Sequence, residues 1–182
     1  MLKTLFSATA VCGFALIANA SENPMVGGAA MYADKNIIEN AVNSKDHETL
    51  VAAVQAAGLV DTLQGEGPFT VFAPTDAAFG KLKDGTVEAL LAPEAKAQLT
   101  QILTCHVVGA DAMAMAIKGM VDDDGGMHIV PTLGGCMLEA TYEGDKIMLK
   151  DENGRTINVT IADVGQSNGV IHVVDRVILP KQ

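Results

Sequence analysis

The hydrophobic period of this chain changes once, at Asp122-Asp123-Asp124-Gly125-Gly126, and that change divides what the two parts can form. Upstream, apolar residues such as Leu50, Val51, Val54 and Ala57 recur at the spacing of one helical face. Downstream they alternate. Leu138, Ala140 and Tyr142 are interleaved with Met137, Glu139 and Thr141; Ile147 and Leu149 with Lys146, Met148 and Lys150; Ile157, Val159 and Ile161 with Thr156, Asn158 and Thr160. Alternation puts one set of side chains in a core and the other in water. This part therefore reads as half-buried antiparallel strands joined by turns at Glu143-Gly144-Asp145 and Asp151-Glu152-Asn153-Gly154. Val170 to Leu179 is apolar on both faces, as a central strand is, and Pro180 ends it. Helices followed by strands imply an α+β domain with a mainly antiparallel sheet.

Finer punctuation places the upstream elements. Asp34 is expected to cap a short helix carrying Ile37, Ile38, Ala41 and Val42, and Ser44 and Asp46 to cap the helix that Gly58 closes. Phe69 to Ala73 reads as a strand stopped by Pro74, with Thr75 and Asp76 capping the helix after it. Helices are expected over Thr86 to Leu91, over Glu94 to Leu103 with Pro93 in the first turn, and over Asp111 to Ile117. His106-Val107-Val108 reads as extended. Residues 21–35, rich in Gly and Ala and without periodicity, are expected to be loosely ordered.

At the N-terminus Lys3 precedes an uncharged, mostly apolar stretch that ends at Ala18-Asn19-Ala20. This is the layout of a secretory signal over residues 1–20, with cleavage expected after Ala20 and a mature chain that is secreted, periplasmic or extracellular. No later run is apolar enough to insert the mature chain in a membrane. The formal charge is −10, from 22 acidic and 12 basic residues, and repels phosphate backbones, so no nucleic-acid partner is expected. Cleavage removes Cys12 and leaves Cys105 and Cys136 as an even pair in an oxidising compartment, either bridged or buried as separate thiols.

Patterns that carry chemistry point away from catalysis. Gly165-Gln166-Ser167-Asn168-Gly169 matches the nucleophile elbow of hydrolases, but a strand-like run follows Ser167 where a helix is needed, and His172 precedes Asp175. Asp122, Asp123 and Asp124 lack the alternate spacing of a calcium loop and read as a solvated turn. His47, His106, His128 and His172 stand singly, without zinc-ligand spacing, so neither a metal site nor any cofactor is expected. His106 and His172 lie in β-branched runs, which suits buried, hydrogen-bonded imidazoles; a ligand or pH-sensing role is the sharper alternative. Nine methionines, among them Met113, Met115, Met120 and Met127, raise copper(I) binding through thioethers, against the plainer use of Met as core filler or adaptable surface. Asn158-Val159-Thr160 is a glycosylation sequon inside an expected strand.

Three segments together resemble the fasciclin (FAS1) domain: Thr70 to Phe79 (TVFAPTDAAF), Leu103 to Val108 (LTCHVV) and Asn168 to Pro180 (NGVIHVVDRVILP). The resemblance covers roughly Asn36 to Pro180, within a single domain taken as 36–182, and looks like a stand-alone bacterial secreted fasciclin protein. It implies a wedge-shaped antiparallel β-sandwich with helices along one side. It also implies a non-catalytic role in cell adhesion or extracellular interaction, with a cell-surface or extracellular-matrix protein or polysaccharide as partner. Family members often carry Tyr-His where this chain has Cys105-His106, a motif associated in some animal members with integrin binding. The resemblance accordingly implies His106, Val107 and Val108 as the partner-contacting segment. The rival expectation is a periplasmic protein that binds a small ligand or copper(I) through the Met-rich stretch.

Overall fold

The computed structural model describes residues 23–181; the signal segment, its cleavage position after Ala20 and Cys12 lie outside the described residues. A hairpin of β1 (Met25–Val26) and β2 (Ala29–Ala30) comes first, then α1 (Ile37–Ala41), α2 (Glu48–Ala57) and α3 (Val60–Gln64). Strand β3 (Phe69–Pro74) leads to α4 (Asp76–Phe79), α5 (Thr86–Leu91), a 3₁₀ turn at Pro93–Ala95 and α6 (Lys96–Thr104). After β4 (Val107–Val108) and α7 (Ala114–Asp123) come β5 (His128–Pro131), β6 (Met137–Glu143), β7 (Lys146–Lys150), β8 (Thr156–Gln166) and β9 (Gly169–Val174).

Seven strands form one sheet in the order β4-β3-β9-β8-β7-β6-β5. Strand β8 turns the corner. Its first residues pair with β7 and its later ones with β9, and its register slips between Val159 and Ile161 and again between Ile161 and Val164. Such bulges bend a strand and deepen its twist. Asp163, at φ 58°, lies inside the second slip. The sheet curls until its two ends meet: beyond β5 the Leu133 N–H donates to the Val107 carbonyl of β4 at 2.8 Å, and the Gly134 N–H to the Thr104 carbonyl at 3.0 Å. The result is nearly a barrel.

The expected antiparallel character holds for every pair in this sheet except β3 with β9, which run parallel from Phe69 opposite Gly169 to Pro74 opposite Val174. Both strands are buried on both faces, as parallel strands usually are. Val71, Ala73, Ile171 and Val173 face a core shared with Leu50, Val54, Leu99 and Leu103 of the helices. Phe72 and Val174, on the other side, join Leu138, Leu149 and Ile157 inside the curled sheet, which Ile117 of α7 plugs. The turn into β9 depends on glycine: a Cβ on Gly169 would stand 1.9 Å from the Phe69 carbonyl oxygen.

Thr75 caps α4, its hydroxyl accepting the Ala78 N–H, and Gly58 ends α2 at φ 73°, both at their expected places. Other caps are supplied differently. Asn36, rather than Asp34, caps α1 and forms a capping box with Glu39. Helix α2 takes no cap from Ser44 or Asp46; Asp76 Oδ1 accepts the Thr49 N–H at 2.8 Å from across the domain. The last helix starts at Ala114 rather than Asp111, because the Asp163 carboxylate accepts the Ala114 N–H, and it runs through Asp122 and Asp123 instead of ending before them. Strand β9 stops at Val174, short of Leu179: Asp175 turns its carboxylate to the Asn158 N–H, and the Ile178 N–H goes to a histidine. Residues 23–33, expected to be loose, instead make the β1–β2 hairpin and bury Val26 and Met31.

Candidate functional site

The closure of the sheet concentrates the residues that the sequence singles out. Helix α6 ends at Thr104, and Cys105, fully buried, is joined to Cys136 by a disulfide with Cα atoms 5.3 Å apart. This bond and the two backbone hydrogen bonds from Leu133 and Gly134 pin the β5–β6 turn to the end of α6 and to β4. Gly134 permits the approach; a Cβ there would come within 2.6 Å of the Cys105 nitrogen. Thr132 completes the turn, its hydroxyl donating to the Cys136 carbonyl and accepting the Cys136 N–H.

His106, Val107 and Val108, which the resemblance offers as a partner contact, are all buried. His106 Nδ1 lies 2.8 Å from the Ile102 carbonyl, and Nε2 accepts the Ile178 N–H at 2.9 Å. The accepting role of Nε2 leaves the proton on Nδ1. Burial pushes its pKa down to about 4, the Arg155 charge acts in the same direction, and the hydrogen bond to Ile102 opposes both. His172 is built alike: Nδ1 accepts the Asp163 N–H, Nε2 donates to the Ala112 carbonyl at 2.8 Å, and burial lowers its pKa. Its ring stacks on Phe72. Both imidazoles are neutral struts between elements, and the segment 106–108 supports a surface without being one. Val107 enters the core beneath the helices and Val108 the core inside the curled sheet, so the exposed surface here belongs to the neighbouring hairpin.

There the chain shows a surface of which the sequence singles out only Met127. Met127, Ile129, Leu133 and Met137 are 44%, 43%, 54% and 50% exposed, and Pro131 is exposed with them. The odd positions 127 to 133 follow one another along β5 and its turn, and Pro131 stands opposite Met137 across the strands, so they form one apolar stripe. Val130, Leu138 and Ala140, of the other parity, fill the core. The alternation was visible in the sequence, and Pro131 marks an edge strand, but the outward parity needed the buried set to be known. Glu139, opposite Ile129, pairs with Lys150 at 3.2 Å.

The remaining candidates are scattered. Ser167 lies in the tight turn between β8 and β9, with its N–H on the Lys35 carbonyl, far from the strand-to-helix elbow a nucleophile needs. Met120 packs inward against the sheet core, whereas Met113, Met115 and Met127 are exposed; Met115 and Met120 are about 140° apart around α7. His128 pairs with Asp124. Asn158 lies exposed in β8 with its amide on Asp175. Among the described residues no group of three or more His, Cys, Asp or Glu is placed to hold a metal ion, and no helix is long and apolar enough to cross a membrane.

Comparison with known proteins agrees with this geometry. The Fasciclin domain model matches residues 45–180. Protein sll1483 of Synechocystis is 41% identical over 186 residues, covering 94% of this chain and 93% of that protein. Transforming growth factor-beta-induced protein ig-h3 of Sus scrofa is 35% identical over 147 residues, covering 80% of this chain but 20% of the larger protein. Among solved structures, the FAS1 domain pair of the insect cell adhesion molecule Fasciclin I superposes with a TM-score of 0.71 at 20% identity, over 80% of this chain and 51% of that one. A curled mixed sheet with helices on one side, a family model spanning most of the sequence and a relative alike over nearly its full length lead to one conclusion: this chain belongs to the fasciclin domain family.

Proposed function

We propose that this chain is an exported, non-catalytic interaction module that contacts a cell-surface or extracellular-matrix protein through the outer face of the β5–β6 hairpin. The observation that carries the reading is the exposed stripe of Met127, Ile129, Pro131, Leu133 and Met137 on a hairpin held rigid by the Cys105–Cys136 bond. Apolar side chains on the water side of a strand add nothing to the core, and a contiguous set of them marks a contact surface. Methionine suits such a surface because its flexible thioether adapts to a partner. An apolar stripe fits a protein better than a polysaccharide, whose hydroxyls call for polar groups and stacking rings. Segment 106–108 serves this contact from beneath by anchoring Leu133. Family membership and the likeness to the insect adhesion molecule support an adhesive role, and the secretory layout of residues 1–20 supports export.

The test uses mature protein on beads offered to cells and to extracellular-matrix proteins, beside an Ile129→Ser/Met137→Ser variant and an unrelated acidic protein. Retention by the wild type, reduced at least tenfold in the variant, is expected. Equal retention by all three would remove the adhesive reading.

A further inference from the structure

The methionines of the described residues fall into two groups. Met31 is buried within the N-terminal strap of residues 23–33, which Asn40 fastens through the Tyr32 N–H and carbonyl, and Met120 and Met148 are half-buried. Met25, Met113, Met115, Met127 and Met137 are exposed. Of these five, only Met127 and Met137 belong to the outer face of the β5–β6 hairpin. They bracket its centre. Ile129 is two residues along β5 from Met127, about 7 Å away, and Met137, opposite Pro131, lies on the diagonal from it.

An exposed thioether reacts with peroxide. The sulfur lone pair attacks one peroxide oxygen, an S–O bond forms as the O–O bond breaks, and the products are a sulfoxide and water; sulfur loses two electrons and the peroxide gains them. An apolar side chain thereby becomes a polar one. On the outer face of a strand this change leaves the fold alone, because water solvates the new oxygen in the folded and the unfolded chain alike. Within a contact the same oxygen must be desolvated against apolar groups, which weakens the contact. Cys105 and Cys136 are already joined and shut from solvent, so an oxidant meets no free thiol in the mounting of the hairpin, and its shape persists.

We infer that Met127 and Met137 are a modification site at which hydrogen peroxide, or another two-electron oxidant of its class, forms sulfoxides that release the partner of the hairpin while the fold stays intact. The inference rests on the contact face proposed above and adds its regulation. Met31 is out of reach of the oxidant, and the exposed Met25, Met113 and Met115 lie on the strap and at the start of α7, away from the stripe. Their oxidation leaves the contact unchanged.

The test treats the mature protein with hydrogen peroxide and follows peptide masses, the urea midpoint and retention by cells and matrix proteins. One added oxygen is expected at Met127 and at Met137 with Met31 unmodified and the midpoint unmoved, while retention falls about tenfold, the effect of unpaired polar atoms in a contact. Met127→Leu with Met137→Leu exchanges the thioethers for carbon at similar volume, so its retention, at whatever level, should be the same before and after peroxide. Met25→Leu with Met113→Leu and Met115→Leu removes the other exposed thioethers and should respond as the wild type does. Hairpin methionines that stay unmodified, retention that survives their conversion, a midpoint that falls with retention, or a hairpin Leu variant as sensitive as the wild type each overturn the inference. If untreated protein is retained by nothing, the adhesive reading falls by itself, and elution of the triple variant from a phenyl matrix decides the oxidation site. Earlier elution after peroxide, removed by adding the hairpin Leu pair, supports it; unchanged elution overturns it.

Discussion

The β3–β9 pair and the β5–β6 hairpin are both rich in apolar residues, for opposite reasons. Every apolar side chain of the central pair has a core to enter, because helices cover one face and the curled sheet the other. The hairpin has one covered face, and its outer face is apolar all the same. Hydrophobicity in the centre is thus accounted for by folding, whereas on the outer face of the hairpin it is not. Substitutions in the two regions should therefore separate stability from contact.

The largest loss is expected in the centre. Phe72→Ala, at a side chain with no exposure, should lower unfolding free energy by about 3–5 kcal/mol, read from urea denaturation; a loss under about 1 kcal/mol would break the contrast. Removing the bridge by Cys105→Ala with Cys136→Ala opens a loop with a sequence separation of 31 and should cost about 3–4 kcal/mol. It should also weaken cell retention, because the stripe loses its anchor; retention unchanged in the double variant would detach the bridge from the contact. The third effect is on pH. His106 titrates near 4 in the fold, against 6.5 in the unfolded chain, and His172 is shifted in the same direction. Between those values the unfolded chain binds the extra proton, so stability is complete above about pH 6.5 and falls as pH drops toward 4. The slope from His106 should approach about 1.4 kcal/mol per pH unit, and His172 adds to it in the same direction. Urea midpoints that stay level across this window would show that the imidazoles accept protons inside the fold. The smallest change in stability belongs to Ile129→Ser with Met137→Ser, within about 0.5 kcal/mol for each site because both side chains are half exposed. A large destabilisation there would assign the stripe to the core after all.

Local chemistry made much of the fold readable in advance. Gly58 and Thr75 announce helix ends, and the alternating runs announce β6, β7 and most of β8. What escaped reading depends on partners distant in sequence. Asp76 caps α2 from beyond β3, and Asp163 sets the start of α7 from 49 residues away. Parallel pairing of β3 with β9 leaves no local trace, since each strand reads as a buried run whatever its neighbour's direction. In the strap, only Val26 and Met31 enter the core, too few to form a period, and its fastening lies in Asn40 rather than in its own residues. The candidate site divides in the same way. Counting and compartment made Cys105 and Cys136 an even pair but left open whether they are bridged, which depends on a Cα separation of 5.3 Å that only the fold supplies, and the buried character of His106 followed from its β-branched setting. The outer stripe was spelled out in order, but which side it faced was decided by β6.

The parallel register of β3 with β9 also bears on when the chain can fold. Phe69 must wait for Gly169, and Pro74 for Val174, so the middle of the sheet is absent until almost the last residues are available. Contacts so far apart in sequence are slow to form, because a long loop must be closed before any burial rewards it. In a chain with this topology the centre of the sheet closes only after β9 has been made, so the order of synthesis as well as local propensity decides when the two cores are sealed from each other.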